Sequence, residues 1–248
     1  VSGDVVILRG GVYRTGSITK LLTVAAALQF AERGQLDLDA PIQRVLPEFH
    51  IVSRFGPHLG EAAVTPRRLM THHAGLPRDL ARGMWGNPDS GFQPVLDYLA
   101  GSELAYPPGL IGAYSNLGLS VLGAAVERMA GAPFAEHMKH ALLQPLGMET
   151  ASISGPLPDS PYLSKAYADG REVTEPGLRD IAAGGLNASA RDLSAWLMTV
   201  FAQGRRGRHT VLQPATVAEM LRPQNEAAAL DLDLKTGPGW NLTPLEGR

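Results

Sequence analysis

The sequence predicts an α/β protein of the α+β type, with an antiparallel sheet domain built from both termini and an inserted all-helical domain. Strand-like stretches lie towards the two ends of the chain, and the first of them, Val5 to Leu8, follows a Ser-Gly-Asp turn. Between residues 45 and 204 we find almost no alternation of apolar and polar residues, which is the pattern of a half-buried strand. Terminal strands separated by a long helical stretch favour this architecture.

The expected domain boundaries follow from that distribution. Residues 1–45 together with 205–248 form the sheet-containing domain, which we expect to be incomplete at its C-terminal end, and residues 46–204 form the helical domain. A cleft between domains is a common place for an active site, so we expect the site there. Start and stop signals predict the main helices at 17–33, from Thr65 to Gly75, and at 93–101, 117–130, about 134–143 and 190–203.

Composition excludes several classes of function. The chain has 248 residues, 44% of them hydrophobic, a net charge of −2 and no cysteine. Disulfides and thiol catalysis are therefore excluded, and the charge gives no reason to expect nucleic-acid binding. The basic run at 205–208 is too short to change that and is expected to be a solvated loop. We see no apolar run long enough for a membrane span and no signal peptide, and the start of the sequence looks trimmed.

Ser17 and Lys20 open the first predicted helix, which is rich in Ala and Leu and stops at Gly34. Residues three apart share a helix face, so the two side chains should meet. A serine hydroxyl needs a base to become a nucleophile, and an amine is a base only when neutral. Apolar neighbours should lower the pKa of Lys20, and the first turn of a helix favours an oxyanion. The alternative is an ordinary N-cap serine followed by a solvated lysine.

Tyr114 and Asn116 open a later helix in the same manner. A tyrosine near Lys20 could share the proton and pass it to a leaving group. An asparagine offers both a donor and an acceptor to a substrate amide. The alternative is that Tyr114 is a half-buried anchor and Asn116 an N-cap.

His72 and His73 raise the question of a metal site. Adjacent histidines point apart, and no carboxylate or third histidine is spaced to join them, so we expect no metal. We expect both to lie in the last turn of the helix that begins after Thr65, where a partial positive charge is favourable.

Taken together, these residues resemble the serine β-lactamase and penicillin-binding protein superfamily, whose first motif is S-x-x-K. The second motif, Y-x-N, is that of class C β-lactamases, family VIII carboxylesterases and their D-aminopeptidase or D,D-carboxypeptidase relatives. The resemblance covers nearly the whole chain through landmarks in the family's order: 13–20 with Ser17-Ile18-Thr19-Lys20, 69–77, Pro108-Gly109 before Tyr114-Ser115-Asn116, Pro145-Leu146-Gly147-Met148, and Gly184-Gly185-Leu186 before 190–193.

The resemblance implies a β-lactamase/transpeptidase-like fold and a two-step acyl-enzyme reaction without metal or organic cofactor. Ser17 would be the nucleophile, Lys20 and Tyr114 the proton-transfer groups, and Asn116 the group that orients the substrate. The expected partner is a small ester, β-lactam or peptide; the oligomeric state is left open. The resemblance slightly favours a bacterial periplasmic or secreted location. The rival expectation is a penicillin-binding sensor or D,D-carboxypeptidase-like protein that is acylated with little turnover, and a second rival is an inactive homologue.

Two expectations concern the ends of the sequence. Lys235-Thr236-Gly237 matches the family's third motif as a string, yet Gly237-Pro238-Gly239-Trp240 resembles the strand before that motif, so the true third motif is expected beyond Arg248. Near the start, Val5 to Arg9 resemble the family's second strand. In the family a turn, a further extended segment and a longer approach separate that strand from the serine helix, whereas here only residues 10–16 lie between them. Either the approach to the serine helix is genuinely shortened, or the sequence joins two pieces across a missing loop. We expect the second, with a Gly10 to Gly11 Cα separation well beyond the usual ~3.8 Å.

Overall fold

A computed structural model of the protein describes residues 11–81 and 83–243. The predicted strand at Val5 to Leu8 and the predicted break between Gly10 and Gly11 involve residues outside the described ones. Within the described chain the fold is a mixture of α-helices and antiparallel β-strands. The predicted α+β class is confirmed.

Apart from the helix after Thr65, which ends earlier than expected, the predicted helices begin and end close to their expected positions. A 3-10 turn at Gly16–Ile18 leads directly into the first α-helix, and a π-helical stretch at Lys139–Leu143 joins two others. The described α-helices are α1 (Thr19–Glu32), α2 (Pro66–Met70), α3 (Gln93–Ala100), α4 (Asn116–Ala130), α5 (Phe134–Met138), α6 (Gln144–Leu146), α7 (Ile181–Gly184), α8 (Ala190–Phe201) and α9 (Pro214–Met220). Among the described residues, none of the helices has the length and apolar character that a membrane crossing requires.

The strands are two or three residues long. They are β1 (Tyr13–Arg14), β2 (Ser152–Ile153), β3 (Ala166–Ala168), β4 (Arg171–Val173), β5 (Leu186–Ala188), β6 (Arg205–Arg206), β7 (His209–Thr210), β8 (Lys235–Gly237) and β9 (Trp240–Leu242). One sheet has the antiparallel order β1-β5-β2, and the pairs β3-β4, β6-β7 and β8-β9 are antiparallel. In the three-stranded sheet Arg14 and Ser152 both pair with Asn187.

The core is organised around α1, whose residues from Thr19 to Phe30 are buried with the exception of Leu21. Helices α4 and α7 pack against it. Gly123 of α4 lets two of these helices approach closely, because a Cβ atom built there would lie 2.4 Å from Cβ of Ala182 in α7. This packing brings the start of α1, with Lys20, into contact with α7.

Local capping agrees with the sequence. Ser189 accepts a hydrogen bond from the Asp192 backbone N–H, and the Asp192 carboxylate accepts from the Ser189 N–H, so a capping box begins α8. Thr65 caps α2 through its side chain, as predicted. Each cap satisfies a helix N–H group that has no intrahelical partner.

Two expectations require correction. The stretch 46–204 is not all-helical, because β2, β3, β4 and β5 lie within it. Strands of two or three residues are too short to show an alternating pattern, which is why the sequence concealed them. The division into domains stays a prediction. Helix α2 ends at Met70, and His72 follows with a left-handed backbone (φ 62°), so the two histidines do not lie in its last turn.

Candidate active site

Ser17 and Lys20 lie where the helix start was predicted to place them. Ser17 is exposed in the 3-10 turn before α1, while Lys20, in the first turn of α1, is only 5% exposed. Lys20 Nζ and Ser17 Oγ are 3.2 Å apart, within hydrogen-bond distance. The alternative of a solvated lysine is therefore excluded. Ser17 also makes no side-chain cap to the 3-10 turn or to α1.

Tyr114, which lies just before α4, joins this pair from a distant part of the sequence. Its Oη donates a hydrogen bond of 2.6 Å to Ser17 Oγ. Lys20 Nζ lies 4.8 Å from the centre of the phenol ring, a distance at which an ammonium is attracted to the ring face. One serine oxygen is thus contacted by both an amine and a phenol.

Burial gives Lys20 the properties of a base. Desolvation lowers its pKa to about 7, although the carboxylates of Asp79 and Asp180 oppose the change; the Arg78 guanidinium lowers the pKa further. Nζ also donates a hydrogen bond of 2.8 Å to the carbonyl of Ala183 in α7. Lys20 therefore has a neutral form with a free lone pair near neutral pH, which an exposed lysine does not.

The hydrogen bonds at Ser17 Oγ allow the serine proton to pass to Lys20 Nζ. A hydroxyl has one proton to donate and lone pairs to accept with. Because Tyr114 donates to Ser17 Oγ, that oxygen can direct its own proton to Nζ when Lys20 is neutral. The arrangement can therefore generate a serine nucleophile, which is the first step of acyl transfer.

Asn116 is the first residue of α4, and it is not the N-cap. That position belongs to Ser115, whose side chain accepts from the Gly118 N–H. Asn116 Nδ2 donates a hydrogen bond of 2.7 Å to Asp79 Oδ1. Its Oδ1 is buried and has no hydrogen-bond partner among the described residues. The N-cap alternative for Asn116 is wrong.

Ser17, Lys20 and Tyr114 line a cavity of about 130 Å³, and the hairpin β8-β9 borders this cavity. Thr236 and Gly237 line it together with Ser17 and Lys20, whereas Lys235 is not among the lining residues. A Cβ atom at Gly237 would lie 2.1 Å from the carbonyl oxygen of Met220, so only glycine fits there. The structure therefore brings two of the three third-motif candidates to the site. The full lining is Ser17, Lys20, Val24, Met70, Thr71, His72, Tyr114, Leu119, Thr236, Gly237, Gly239, Trp240 and Asn241.

Two acidic residues near the site escaped the sequence analysis. Asp79 lies in the loop after Pro77, and Asp180 precedes α7, fully buried in an ion pair of 2.8 Å with Arg179. Burial raises the pKa of Asp180, while the neighbouring guanidinium opposes the rise. No motif or spacing in the sequence identifies either residue as part of the site. Both affect the pKa of Lys20, but they come near it only in the folded protein.

The two adjacent histidines have different partners. His73 Nε2 lies 2.7 Å from Asp231 Oδ2, and His72 faces Tyr114. Within the described residues, no group of three or more histidine, aspartate or glutamate side chains is placed to hold a metal ion.

Comparisons with known proteins agree with this arrangement. The β-lactamase family model matches residues 9–248. Esterase EstB of Burkholderia gladioli is 30% identical over 268 residues, covering 93% of this chain and 65% of EstB. The D-alanyl-D-alanine-carboxypeptidase/endopeptidase AmpH of Escherichia coli K12 is 25% identical over 249 residues, covering 96% of this chain and 62% of AmpH.

A solved structure supports the fold. The class C β-lactamase of Rhodobacter sphaeroides matches with a TM-score of 0.73 and 24% identity, covering 95% of this chain and 62% of that one. The chain thus spans a little under two thirds of the length of EstB, AmpH and this enzyme. Since the family model matches nearly all of its residues, the chain belongs to the β-lactamase family, within the serine β-lactamase and penicillin-binding protein superfamily.

Proposed function

We propose that this protein is a serine hydrolase that cleaves an ester, a β-lactam or a D-amino-acid amide through an acyl-enzyme. The observation that carries the proposal is the set of contacts at Ser17 Oγ, which is 3.2 Å from the buried Lys20 amine and 2.6 Å from the Tyr114 hydroxyl. A serine hydroxyl becomes a nucleophile at neutral pH when a base lies within hydrogen-bond distance, and Lys20 supplies that base here.

Acylation begins when neutral Lys20 takes the proton of Ser17, while Tyr114 keeps its hydrogen bond to Oγ. Oγ then forms a bond to the substrate carbonyl carbon, and the carbonyl oxygen takes the negative charge. The backbone N–H of Ser17 and one N–H of the neighbouring strand stabilise that oxyanion, with β8 as the candidate strand. Tyr114 gives its proton to the leaving group as the bond between that group and the carbonyl carbon breaks, and the Lys20 ammonium passes the serine proton on to the tyrosine, so both groups return to their starting forms. Water then attacks the acyl-enzyme and releases the acid and free Ser17.

The substrate classes come from the chemistry and from the relatives. Esters and lactams share a carbonyl with a leaving group that Tyr114 can protonate. The resemblance supports Asn116 as the residue that orients the acyl side chain. EstB is named an esterase and AmpH a D-alanyl-D-alanine-carboxypeptidase/endopeptidase, which supports ester and D-amino-acid amide substrates.

The two-domain division and the extracytoplasmic location belong to the same proposal. Both rest on the resemblance set out above. Of the third-motif candidates, we retain Thr236 and Gly237 as part of the site because they line the cavity with Ser17. We assign no catalytic role to Lys235.

The test combines turnover with covalent labelling. The protein should hydrolyse a short-chain p-nitrophenyl ester or a chromogenic cephalosporin over many turnovers, and a fluorescent penicillin should label it. Ser17→Ala should reduce turnover about a thousandfold or more and abolish labelling, with a stability change within about 0.5 kcal/mol, because Ser17 is exposed and caps no helix. The matched control is Ser194→Ala, an exposed serine of α8 that lies away from the site.

Each outcome has a separate meaning. Activity of Ser17→Ala within tenfold of the parent would remove Ser17 as the nucleophile. Persistent labelling of the parent without turnover of any ester, lactam or D-Ala-D-Ala peptide would instead support the penicillin-binding sensor.

A further inference from the structure

His72 contacts all three residues of the segment that carries Tyr114. Its Nδ1 accepts a hydrogen bond of 3.1 Å from the backbone N–H of Ser115. Its backbone carbonyl accepts a hydrogen bond of 2.8 Å from the N–H of Ala113. Its ring lies against the ring of Tyr114, with centroids 4.5 Å apart and a tilt of 32°. The chain is thus held immediately before and after the tyrosine, and the tyrosine itself is contacted.

The backbone of His72 adopts a conformation that histidine seldom takes. Its φ of 62° lies in the left-handed region, which favours glycine and, among other residues, asparagine and aspartate. Non-glycine residues in this region are strained and persist only where surrounding contacts hold them. Here the contacts that do so are the ones made to residues 113–115.

The imidazole is neutral under ordinary conditions. Burial, with smaller contributions from the charges of Lys20 and His73, lowers the pKa of His72 to about 4. A neutral imidazole has one N–H and one lone pair. Since Nδ1 accepts from Ser115, the proton resides on Nε2, and the only lone pair of the ring is occupied. His72 therefore has no free acceptor with which to deprotonate Ser17 or water.

We propose that His72 is a positioning residue, whose Nδ1 holds the Ser115 N–H so that Tyr114 Oη stays within hydrogen-bond distance of Ser17 Oγ. The inference rests on the proposed function, because it assigns His72 to the proton-transfer step of that reaction. Displacing a catalytic group by about 1 Å can lower a rate about a hundredfold. Loss of the hydrogen bond from the Ser115 N–H to His72 should let Tyr114 move by a distance of that order.

Three substitutions separate the acceptor from the ring. His72→Asn keeps a side-chain acceptor and tolerates the left-handed backbone, but it loses the ring. His72→Phe keeps a ring and loses the acceptor. His72→Gly relaxes the backbone and loses both. We expect His72→Phe and His72→Gly to lower kcat for ester hydrolysis roughly ten- to a hundredfold with KM nearly unchanged, and His72→Asn to stay within about threefold of the parent.

A double-mutant cycle tests whether the effect passes through Tyr114. In a Tyr114→Phe background, where the hydroxyl is already absent, His72→Gly should cause no further loss beyond about twofold. Thermal unfolding identifies variants that fail to fold. If His72→Phe is one of them, the comparison of kcat between His72→Gly and His72→Asn tests whether the side-chain acceptor is needed. His140→Asn, at an exposed histidine far from the site, is the matched control.

The outcomes are distinct from those of the Ser17 experiment. A folded His72→Gly with parental kcat, or an equal loss in the presence and absence of the Tyr114 hydroxyl, overturns the positioning role. An active Ser17→Ala overturns the proposed function itself. An inactive Ser17→Ala with a fully active His72→Gly leaves the hydrolase proposal standing and removes only this one.

Discussion

Asp79 Oδ1 accepts a hydrogen bond of 2.7 Å from Asn116 Nδ2, and this contact fixes the orientation of the asparagine amide. A carboxylate only accepts hydrogen bonds, so the amide nitrogen must point to Asp79. Asn116 Oδ1 then points elsewhere and is left buried without a partner among the described residues. Asp79 also acts on Lys20, whose pKa its charge raises against the larger effect of burial.

The first prediction uses that electrostatic link. In the proposed reaction the neutral form of Lys20 is the base, so kcat/KM should rise as pH increases through about 7. Asp79→Asn removes a charge that favours the ammonium. The pKa of Lys20 should then fall, and the acidic limb of the pH–rate profile should move to lower pH. Asp159→Asn, an exposed loop substitution, should leave the limb in place. A limb that stays put or moves to higher pH in Asp79→Asn contradicts the assignment of Lys20 as the base.

The second prediction concerns the free energy of unfolding. The pKa of Lys20 is about 7 in the folded protein and near 10.5 in the unfolded chain. Between these values the unfolded state binds more protons, so the parent should gain stability as pH rises from 7 to 10.5. Lys20→Met should lack this gain. It should also lose activity by about a hundredfold or more, because no base remains.

Urea unfolding of the two proteins at pH 7 and pH 9.5 gives the comparison. The free energy of unfolding of Lys20→Met minus that of the parent should be more positive at pH 7 than at pH 9.5, because only the parent gains stability over this range. Equal differences at the two values would show that the folded-state pKa of Lys20 is not lowered.

The third prediction concerns the strand beside the nucleophile. Gly237→Ala places a methyl group 2.1 Å from the carbonyl oxygen of Met220, so β8 must shift. Overpacking of this kind costs about 1–3 kcal/mol. Because β8 lines the cavity, activity should fall as well. Gly101→Ala is the matched control, since its Cβ would meet only Tyr98 O at 3.9 Å, and it should change stability by less than about 0.5 kcal/mol. Parental stability and activity in Gly237→Ala would show that β8 is not tightly held.

The fourth prediction concerns the buried contact between His73 and Asp231. Nε2 and Oδ2 are 2.7 Å apart, and Asp231 also accepts from the Gly112 N–H at 2.6 Å and from Asn225. Asp231→Ala leaves these donors unpaired and should cost about 3–5 kcal/mol. Asp233→Ala, two residues further along and exposed, should be nearly neutral. Denaturant unfolding of both variants measures the difference.

The pH dependence of the same variant has a defined sign. Burial raises the pKa of Asp231, but hydrogen bonds from Asn225, Gly112 and His73 outweigh it, so the net pKa is lowered. Its stabilising effect is therefore present above the unfolded value near 3.8 and is lost as pH falls through the folded value. A deficit of Asp231→Ala that persists undiminished in strong acid would contradict an ionised Asp231.

The sequence by itself determined the features that depend on neighbours a few residues apart. The spacing of Ser17 and Lys20 sets their proximity, because side chains three residues apart lie on one helical face. The capping box of Ser189 and Asp192 is equally local. The family landmarks, which preserve such local patterns in order, were sufficient for the fold class.

Only the tertiary structure decided what happens between distant segments. Tyr114 reaches Ser17 across 97 residues, and no periodicity in the sequence encodes that distance of 2.6 Å. The pKa of Lys20 depends on burial by the surrounding helices and on Asp79 and Asp180, which approach only when the chain has packed. Two-residue strands such as β2 have no period to detect. Local spacing constrains side chains through backbone geometry, whereas long-range contacts exist only after the core around α1 has formed.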